Sequence, residues 1–316
     1  MKTIDILLPV YNEEDNIFHF IAECNKVIAD IPDINFTYCF INDGSVDNTK
    51  AVILDAIRQY GNVELIDFSK NFGKEQAIMA GIKNTNADAC IICDVDLQDP
   101  IHVIKEFISL WQDGYNMVYG VRNNRDTDSF LKKKTSALFY KFYNLISGVK
   151  IPYNAGDFRL LDRKIINSIS KINNKHLFMK GIYHVVGFKS TSVSYRREKR
   201  QFGKTKFNYF KLIKLALDGI FNSTSVPLKI SSIFGVIFAL IAFLWGMEII
   251  IAKLFFGNPI KGYPSLMVAI LFLFGIQFLF MGLLGEYISR IFDEIKGSPR
   301  HVINEIITKD NINDLY

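Results

Sequence analysis

Short apolar runs and amphipathic stretches alternate along the first part of the chain. Ile4–Val10, Phe36–Ile41, Val63–Phe68, Ala89–Cys93 and Met117–Val121 are apolar segments of strand length. Between them, Glu13–Ala29, Asp47–Tyr60, Lys74–Lys83 and Ile101–Trp111 read as helices. This repetition predicts an α/β fold whose mostly parallel, Rossmann-like sheet is covered on both faces. Asn42-Asp43-Gly44-Ser45 followed by Asp47-Asn48-Thr49 reads as a turn running into a helix cap. Regularity fades from Arg122 to about Lys150, and Arg122–Lys134 is a charged loop or a solvated linker.

The pattern changes towards the C-terminus. In Phe207–Ser225 a narrow polar stripe (Asn208, Lys211, Lys214, Asp218, Asn222) faces a broad apolar surface. Such a helix suits the membrane interface, with a core helix of the soluble domain as the alternative. Ile230–Ala252 and Pro264–Ile288 contain no Lys or Arg, and each reaches the ~20 residues that ~30 Å of hydrocarbon requires. The connector Lys253–Tyr263 is too short for a domain, so the spans form a hairpin with both ends on one side. Lys211, Lys214 and Lys229 precede it and Arg290, Lys296 and Arg300 follow it, against Lys253 and Lys261 in the connector. Positive-inside asymmetry then puts both termini in the cytoplasm. Glu248 and Glu286, near span ends, read as interfacial or as intramembrane functional acids. The expected division is residues 1–206 as the catalytic domain, 207–228 as the interfacial segment, 229–288 as the two spans and 289–316 as a cytoplasmic tail.

Composition agrees. The 316 residues are 49% hydrophobic, with 27 Phe, which is too apolar for an ordinary soluble enzyme. The net charge of +5 singles out no partner, and no nucleic acid partner is expected. Cys90 and Cys93 form a C-x-x-C within a strand, so their side chains point to opposite faces. That argues against zinc or redox chemistry and for core packing in a reducing compartment. Met1-Lys2-Thr3 leads straight into a strand, unlike a signal peptide, so the N-terminal domain is expected in the cytoplasm.

Candidate chemistry sits where the fourth strand ends. Cys90–Pro100 is an apolar run closing in Asp94-x-Asp96-x-x-Asp99 and a proline. Two carboxylates at a strand tip suit one Mg²⁺ whose other positions go to water and phosphate; a solvated acidic turn is the alternative. Pro9–Glu14, Asn42–Ser45 and Asn71–Lys74 end neighbouring strands, and together they form a ligand crevice. No G-x-G-x-x-G follows the first strand and there is no P-loop, which favours a mononucleotide with diphosphate and metal over a dinucleotide.

These residues carry a resemblance. P-V-Y-N-E-E-D-N-I (9–17), N-D-G-S-x-D-N-T (42–49), N-F-G-K-E-x-A (71–77), D-V-D-L-Q-D-P (94–100), G-D-F-R-L-L-D-R (156–163) and R-x-F-G-x-T-K-F (200–207) occur in order. The chain resembles the family 2, GT-A-type inverting glycosyltransferases. More narrowly, it resembles the membrane-bound polyprenyl-phosphate group that includes dolichol-phosphate mannose synthases and bactoprenol glucosyltransferases. Asn42 departs from the second Asp that many relatives carry.

The resemblance implies roles. Pro9, Tyr11, Glu13, Asp43 and Asp94 would line the nucleotide site, and Asp94 and Asp96 would hold Mg²⁺ or Mn²⁺. Arg200 and Lys206 would bind phosphate, Gln98 and Asp99 would face the donor sugar, and Asp157 would be the catalytic acid/base position, with a turn acid as its alternative. The implied reaction moves a hexose, foremost glucose from UDP-glucose, to undecaprenyl phosphate at the inner membrane. Mannosyl or N-acetylglucosaminyl transfer, a polymer-forming synthase and a non-catalytic scaffold are the alternatives. A homo-oligomer is implied only by the family.

Overall fold

Ile4, Ile6, Leu8 and Val10 turn to one side of the first strand and Leu7 to the other, as a two-residue period requires. All five are buried because helices cover both faces of the sheet. The computed structural model describes residues 1–123, 154–172, 179–197, 224–256, 262–297 and 299–312.

The N-terminal part alternates β1 (Lys2–Val10), α1 (Ile17–Ile28), β2 (Ile34–Asn42), α2 (Thr49–Gln59), β3 (Val63–Phe68), α3 (Lys74–Asn84), β4 (Ala89–Ile92), α4 (Val103–Gln112) and β5 (Met117–Arg122). Then come β6 (Ala155–Asp162), α5 (Arg163–Ile169), α6 (Met179–Val185) and β7 (Ser190–Tyr195). After two long helices, α7 (Val226–Phe256) and α8 (Tyr263–Ile295), the chain ends in β8 (Ile303–Ile307). Among the described residues the strands form one sheet in the order β7-β5-β6-β4-β1-β2-β3-β8. β4, β1, β2 and β3 run parallel, as do β5 and β7, while β6 and β8 pair antiparallel with their neighbours. The expected mostly parallel sheet is therefore present, as a mixed one.

Buried positions follow the helical period. Ile17, Phe20, Ile21 and Cys24 form the inner stripe of α1, and Val103, Ile104, Phe107, Ile108 and Trp111 that of α4. Cys90 and Cys93 fall in the two separate cores on opposite faces of the sheet, and all four cysteines are free and buried. Two local expectations change. The first helix starts at Ile17 rather than Glu13, because Asn12 takes a left-handed conformation (φ 54°) and the chain turns through Glu13–Asn16 first. The second helix starts at Thr49 rather than Asp47, and Asp47 caps it from just outside, accepting from the Thr49 N–H (3.0 Å) and hydroxyl (2.6 Å).

The segment after the long helices, expected as a tail, returns to the sheet. β8 pairs with the edge strand β3, His301 stacks on Phe68 with ring centroids 5.0 Å apart, and Lys50 bridges Asp67 (2.9 Å) and Glu305 (2.5 Å). Covering an exposed edge in this way removes a row of unpaired backbone groups.

The chain divides into two compact units, Met1–Gly219 with Pro299–Tyr316, and Ile220–Ser298. In the second, the expected spans lie inside α7 and α8. Val226–Ile249 and Val268–Ile295 have mean hydropathies of 2.2 and 2.4 and no burial within the protein. Both are long enough to cross a membrane, since 20 residues of helix already rise ~30 Å. Tyr287 donates to the Thr224 carbonyl (3.0 Å), and Glu286 pairs with Arg290 one turn on (2.7 Å). The amphipathic segment at 207–223, the charged stretch from residue 124 and the connector at 257–261 lie outside the described residues.

Candidate functional site

The central geometry is a consequence of strand register. β4 and β6 run antiparallel with Ala89 opposite Asp162 and Ile92 opposite Arg159. Continued two residues past the end of β4, that register sets Asp94 opposite Asp157, from a motif 63 positions later in the chain. Asp157 therefore belongs to a strand, not to a turn. The strand was hidden because Asp157 and Arg159 occupy one face of it, so the apolar alternation is broken.

Lys74, the first residue of α3, joins the two acids. Its Nζ lies 2.6 Å from Asp94 Oδ1 and 3.1 Å from Asp157 Oδ2. Burial opposes the lysine's charge, but Asp94 and Asp157 outweigh it and hold its pKa well above the ordinary value. Burial likewise opposes the charge on Asp157, and Lys74, Lys180 and Arg159 outweigh it, so Asp157 stays ionised well below the usual carboxylate range. Behind it, Arg159 is fully buried, stacked on Tyr183 at 3.6 Å and donating to the Gly156 carbonyl (2.5 Å).

The Asp94–Asp99 turn alternates. Asp94, Asp96 and Gln98 are half-buried, whereas Val95, Leu97 and Asp99 point inward. Leu97 sits at φ 53°, an uncommon conformation for a leucine that the surrounding packing sustains. The Gln98 N–H donates to Asp96 Oδ1 at 3.3 Å. Asp99 differs from the sugar-facing residue expected of it. It is 2% exposed and its Oδ1 accepts from the Tyr195 hydroxyl (2.5 Å), with Arg122 at 3.5 Å and Arg197 at 3.9 Å. Its carboxylate thus anchors the tips of β5 and β7. Arg122 and Tyr195, like Lys74, carry no individual role in the sequence reading; Lys74 lies inside N-F-G-K, whose position opening a helix at the same edge is the available signal.

The loops after β1 and β2 are stitched together. The Asn12 N–H donates to Ser45 Oγ (2.9 Å), Val46 N–H to Asn12 Oδ1 (2.9 Å) and Glu13 N–H to Thr49 Oγ1 (2.9 Å). Pro9, Tyr11 and Glu13 are half-buried along this edge, and Glu13 accepts from Asn16 Nδ2 (2.6 Å). Asp43 is buried, and its carboxylate accepts from the N–H groups of Phe72 (2.7 Å) and Gly73 (2.9 Å), where α3 begins. A carboxylate there also complements the helix dipole. Asn42 donates to Asp67 (2.7 Å), so the amide at this position makes a neutral partner for a buried acid. Arg200 and Lys206 lie outside the described residues.

Among the described residues no group of three or more His, Cys, Asp or Glu side chains could hold a metal ion. The acids present nevertheless fit a hard cation. Asp94 and Asp96 offer two oxygen ligands from one half-open turn, and Asp94 already attracts a cation, the lysine ammonium. Mg²⁺ typically takes one or two carboxylates and completes its shell with water and phosphate.

Glu75, next to Lys74, accepts from the Met179 N–H (2.6 Å) and so ties α6 to α3. Burial, then the nearby Asp157, push its pKa from 4.5 up to about 7. Below pH 4.5 both folded and unfolded chains hold the proton. From there to about pH 7 only the folded chain keeps it, so this carboxyl's contribution to stability falls as pH rises. Glu75→Gln should therefore raise thermal stability at pH 8, by on the order of 2 kcal/mol, and change little near pH 5. Melting curves at the two pH values check this; a variant equally shifted at both would contradict it.

Comparison with known proteins gives the family. Residues 5–170 match the Glycosyl transferase family 2 domain and residues 226–291 match the GtrB C-terminal hairpin. The bactoprenol glucosyl transferase of Shigella phage SfII is 44% identical over 302 residues, 96% of this chain and 97% of that protein. The prophage bactoprenol glucosyl transferase homolog of Escherichia coli is 43% identical over 303 residues, 96% and 99% of the two chains. A looser likeness is to glucosyl-3-phosphoglycerate synthase from Mycobacterium tuberculosis, crystallised with Mn²⁺, UDP-glucose and phosphoglyceric acid. There the TM-score is 0.47 and the identity 15%, over 70% of this chain and 78% of that one. Matched through its catalytic-type sheet and its hairpin, and nearly end to end by such relatives, the chain belongs to glycosyltransferase family 2, with a GT-A-like fold and a GtrB-type C-terminal hairpin.

Proposed function

We propose that this protein is an inverting hexosyltransferase that moves a sugar from a nucleoside diphosphate to the phosphate of a polyprenyl carrier, working at the cytoplasmic face of the inner membrane. UDP-glucose is the proposed donor and undecaprenyl phosphate the acceptor; the glucose and the bactoprenol carrier are in line with the names of relatives 43–44% identical to it. The observation that carries the reading is the facing pair Asp94 and Asp157 joined by Lys74 at the carboxyl edge of the sheet.

Pro9, Tyr11 and Glu13 line the nucleoside pocket, whose walls the Asn12–Ser45 and Asn12–Val46 hydrogen bonds hold together. Asp43 acts through the backbone of Phe72 and Gly73. Asp94 and Asp96 would hold Mg²⁺ or Mn²⁺, which would neutralise charge developing on the leaving nucleoside diphosphate. Gln98 borders the sugar, and Arg200 and Lys206 supply further donors to phosphate. In the transfer, an acceptor phosphate oxygen forms a bond to the anomeric carbon from the face opposite the diphosphate, and the C1–O bond to the diphosphate breaks. A phosphate monoester has its second pKa near ~6 and is largely dianionic at neutral pH, so no proton has to be removed from the nucleophile. Asp157, held ionised, then serves by stabilising positive charge on the sugar and by orienting Lys74 rather than as a base.

The apolar helices explain how an enzyme meets such an acceptor. Each buried CH₂ of a polyprenyl tail contributes ~0.8 kcal/mol, so the lipid stays in the bilayer and the enzyme goes to it. β8 follows both helices in sequence and pairs with β3, which is what a chain crossing the membrane twice and returning to its starting side requires.

The test is transfer by the purified full-length protein in detergent with Mg²⁺ or Mn²⁺, undecaprenyl phosphate and labelled UDP-glucose, UDP-N-acetylglucosamine or GDP-mannose in separate tubes. Label should enter the organic phase from UDP-glucose, and only with both metal and lipid. Label from another donor would replace glucose in the proposal, and none from any donor would remove the transferase reading.

A further inference from the structure

We infer that Lys74 is a displaceable counter-ion of the donor site: its ammonium holds Asp94 and Asp157 together while no metal is bound, and it must leave Asp94 for a divalent cation to enter. The inference rests on the reading of Asp94 and Asp96 as metal ligands.

One ammonium serves two carboxylates that strand register forces to face each other. Two such anions at close range repel, and each is stabilised by a cation between them. Lys74 Nζ is at contact distance from Asp94 Oδ1 (2.6 Å), so a divalent ion on the same oxygen would meet a positive charge at its own ligand. The lysine can yield. Its side chain is 40% exposed and carries four rotatable carbons, and Gly73 before it has φ 96° with open space where a Cβ would be. It also keeps a second partner, Asp157 at 3.1 Å, so leaving Asp94 does not strand the ammonium without an anion. The diphosphate of the donor is a third anion the side chain can meet at this edge.

Two consequences follow for binding order. Metal affinity should be low in the absence of nucleotide, because the cation must expel the lysine. Nucleotide diphosphate should raise it, because the expelled ammonium then gains a new partner. Lys74 is thus a positioning residue that couples metal entry to donor entry.

The experiment is titration of Mn²⁺, followed by electron paramagnetic resonance, into the full-length protein in detergent with and without UDP. Wild type, Lys74→Met, Lys74→Arg and Asp94→Asn are compared. Without UDP, Lys74→Met should bind Mn²⁺ on the order of tenfold more tightly than wild type, the lower end of what one adjacent cation does to a carboxylate's affinity for a proton. UDP should then add less to that affinity than it does in wild type, and Lys74→Arg should stay near wild type. Lys74→Gln serves as the neutral variant if the methionine form does not fold. Damage to the site would loosen Mn²⁺, so tightening has no purely structural explanation. An affinity unchanged or weaker in the neutral variant would overturn the inference, as would Mn²⁺ binding that survives Asp94→Asn. Transfer activity separates the two readings. A wild type that transfers no sugar, with Mn²⁺ tightened in Lys74→Met, loses the transferase but keeps the counter-ion; an active wild type with unmoved Mn²⁺ affinity does the reverse.

Discussion

Asp157→Asn should lower kcat by roughly 10²–10³-fold while UDP affinity stays within about threefold, the loss expected when one fixed charge or donor is withdrawn from a transition state. The substitution is nearly isosteric, and an amide oxygen can still accept from Lys74, so the β6 backbone and the Asp94–Lys74 pair should persist. What disappears is a negative charge held in place by Lys74, Lys180 and Arg159. That charge is of little use to the ground state of the donor, whose sugar is neutral. It matters as the bond to the diphosphate breaks and positive charge grows on the sugar. The effect should therefore fall on kcat rather than on KM. Because Asp157 is ionised far below the usual carboxylate range, it should give no acid limb in the pH–rate profile. An acid limb near ~6 would instead belong to the acceptor phosphate and persist in the variant. Steady-state kinetics with a separate UDP-binding measurement decide the matter. Turnover within threefold of wild type, in a protein that binds UDP, would take Asp157 out of the mechanism.

Gly44→Ala should destabilise the catalytic domain by about 3 kcal/mol, combining the ~1–2 kcal/mol of a left-handed alanine with the cost of overpacking. Gly44 has φ +65°, and a Cβ on it would lie 2.3 Å from the Lys70 carbonyl carbon and 2.5 Å from the Asn71 nitrogen. These are backbone atoms of the loop that leads into Phe72, Gly73 and Lys74, so relief requires the loop to move. Asp43, the neighbouring residue, holds Phe72 and Gly73 by their N–H groups, so the shift would also loosen the start of α3 and with it Lys74. A lowered melting temperature should accompany weaker UDP binding and reduced turnover. Gly44→Asn offers a graded comparison, since asparagine tolerates the left-handed conformation better than alanine but meets the same backbone. An alanine variant as stable as wild type would mean that the loop after β3 is free to adjust.

Much of the molecule is legible in local pattern. β3 has the bounds its apolar run predicts, Val63–Phe68, and α3 differs from expectation by one residue at its end. Side-chain periodicity is a property of neighbouring residues, and burial on two faces needs no knowledge of the partner strand. The hairpin is legible for the same reason, because the length and apolarity of each helix are properties of one continuous segment. The edge proposed to hold the ligands follows from where the parallel strands end.

The remainder depends on which distant segments meet. β6 is not legible locally because Asp157 and Arg159 break its alternation, and only pairing with β4 and β5 makes those residues part of a strand. β8 is a strand of only five residues that follows a long apolar helix pair, with no local sign that β3 awaits it. Asp94, Asp96 and Asp99 look alike in sequence, yet the turn sends Asp99 inward to Arg122, Tyr195 and Arg197 while Asp94 reaches Lys74. Periodicity sorts residues by solvent exposure, which each segment expresses on its own. A charge finds its partner through strand register and loop closure, and those are set when the whole sheet assembles.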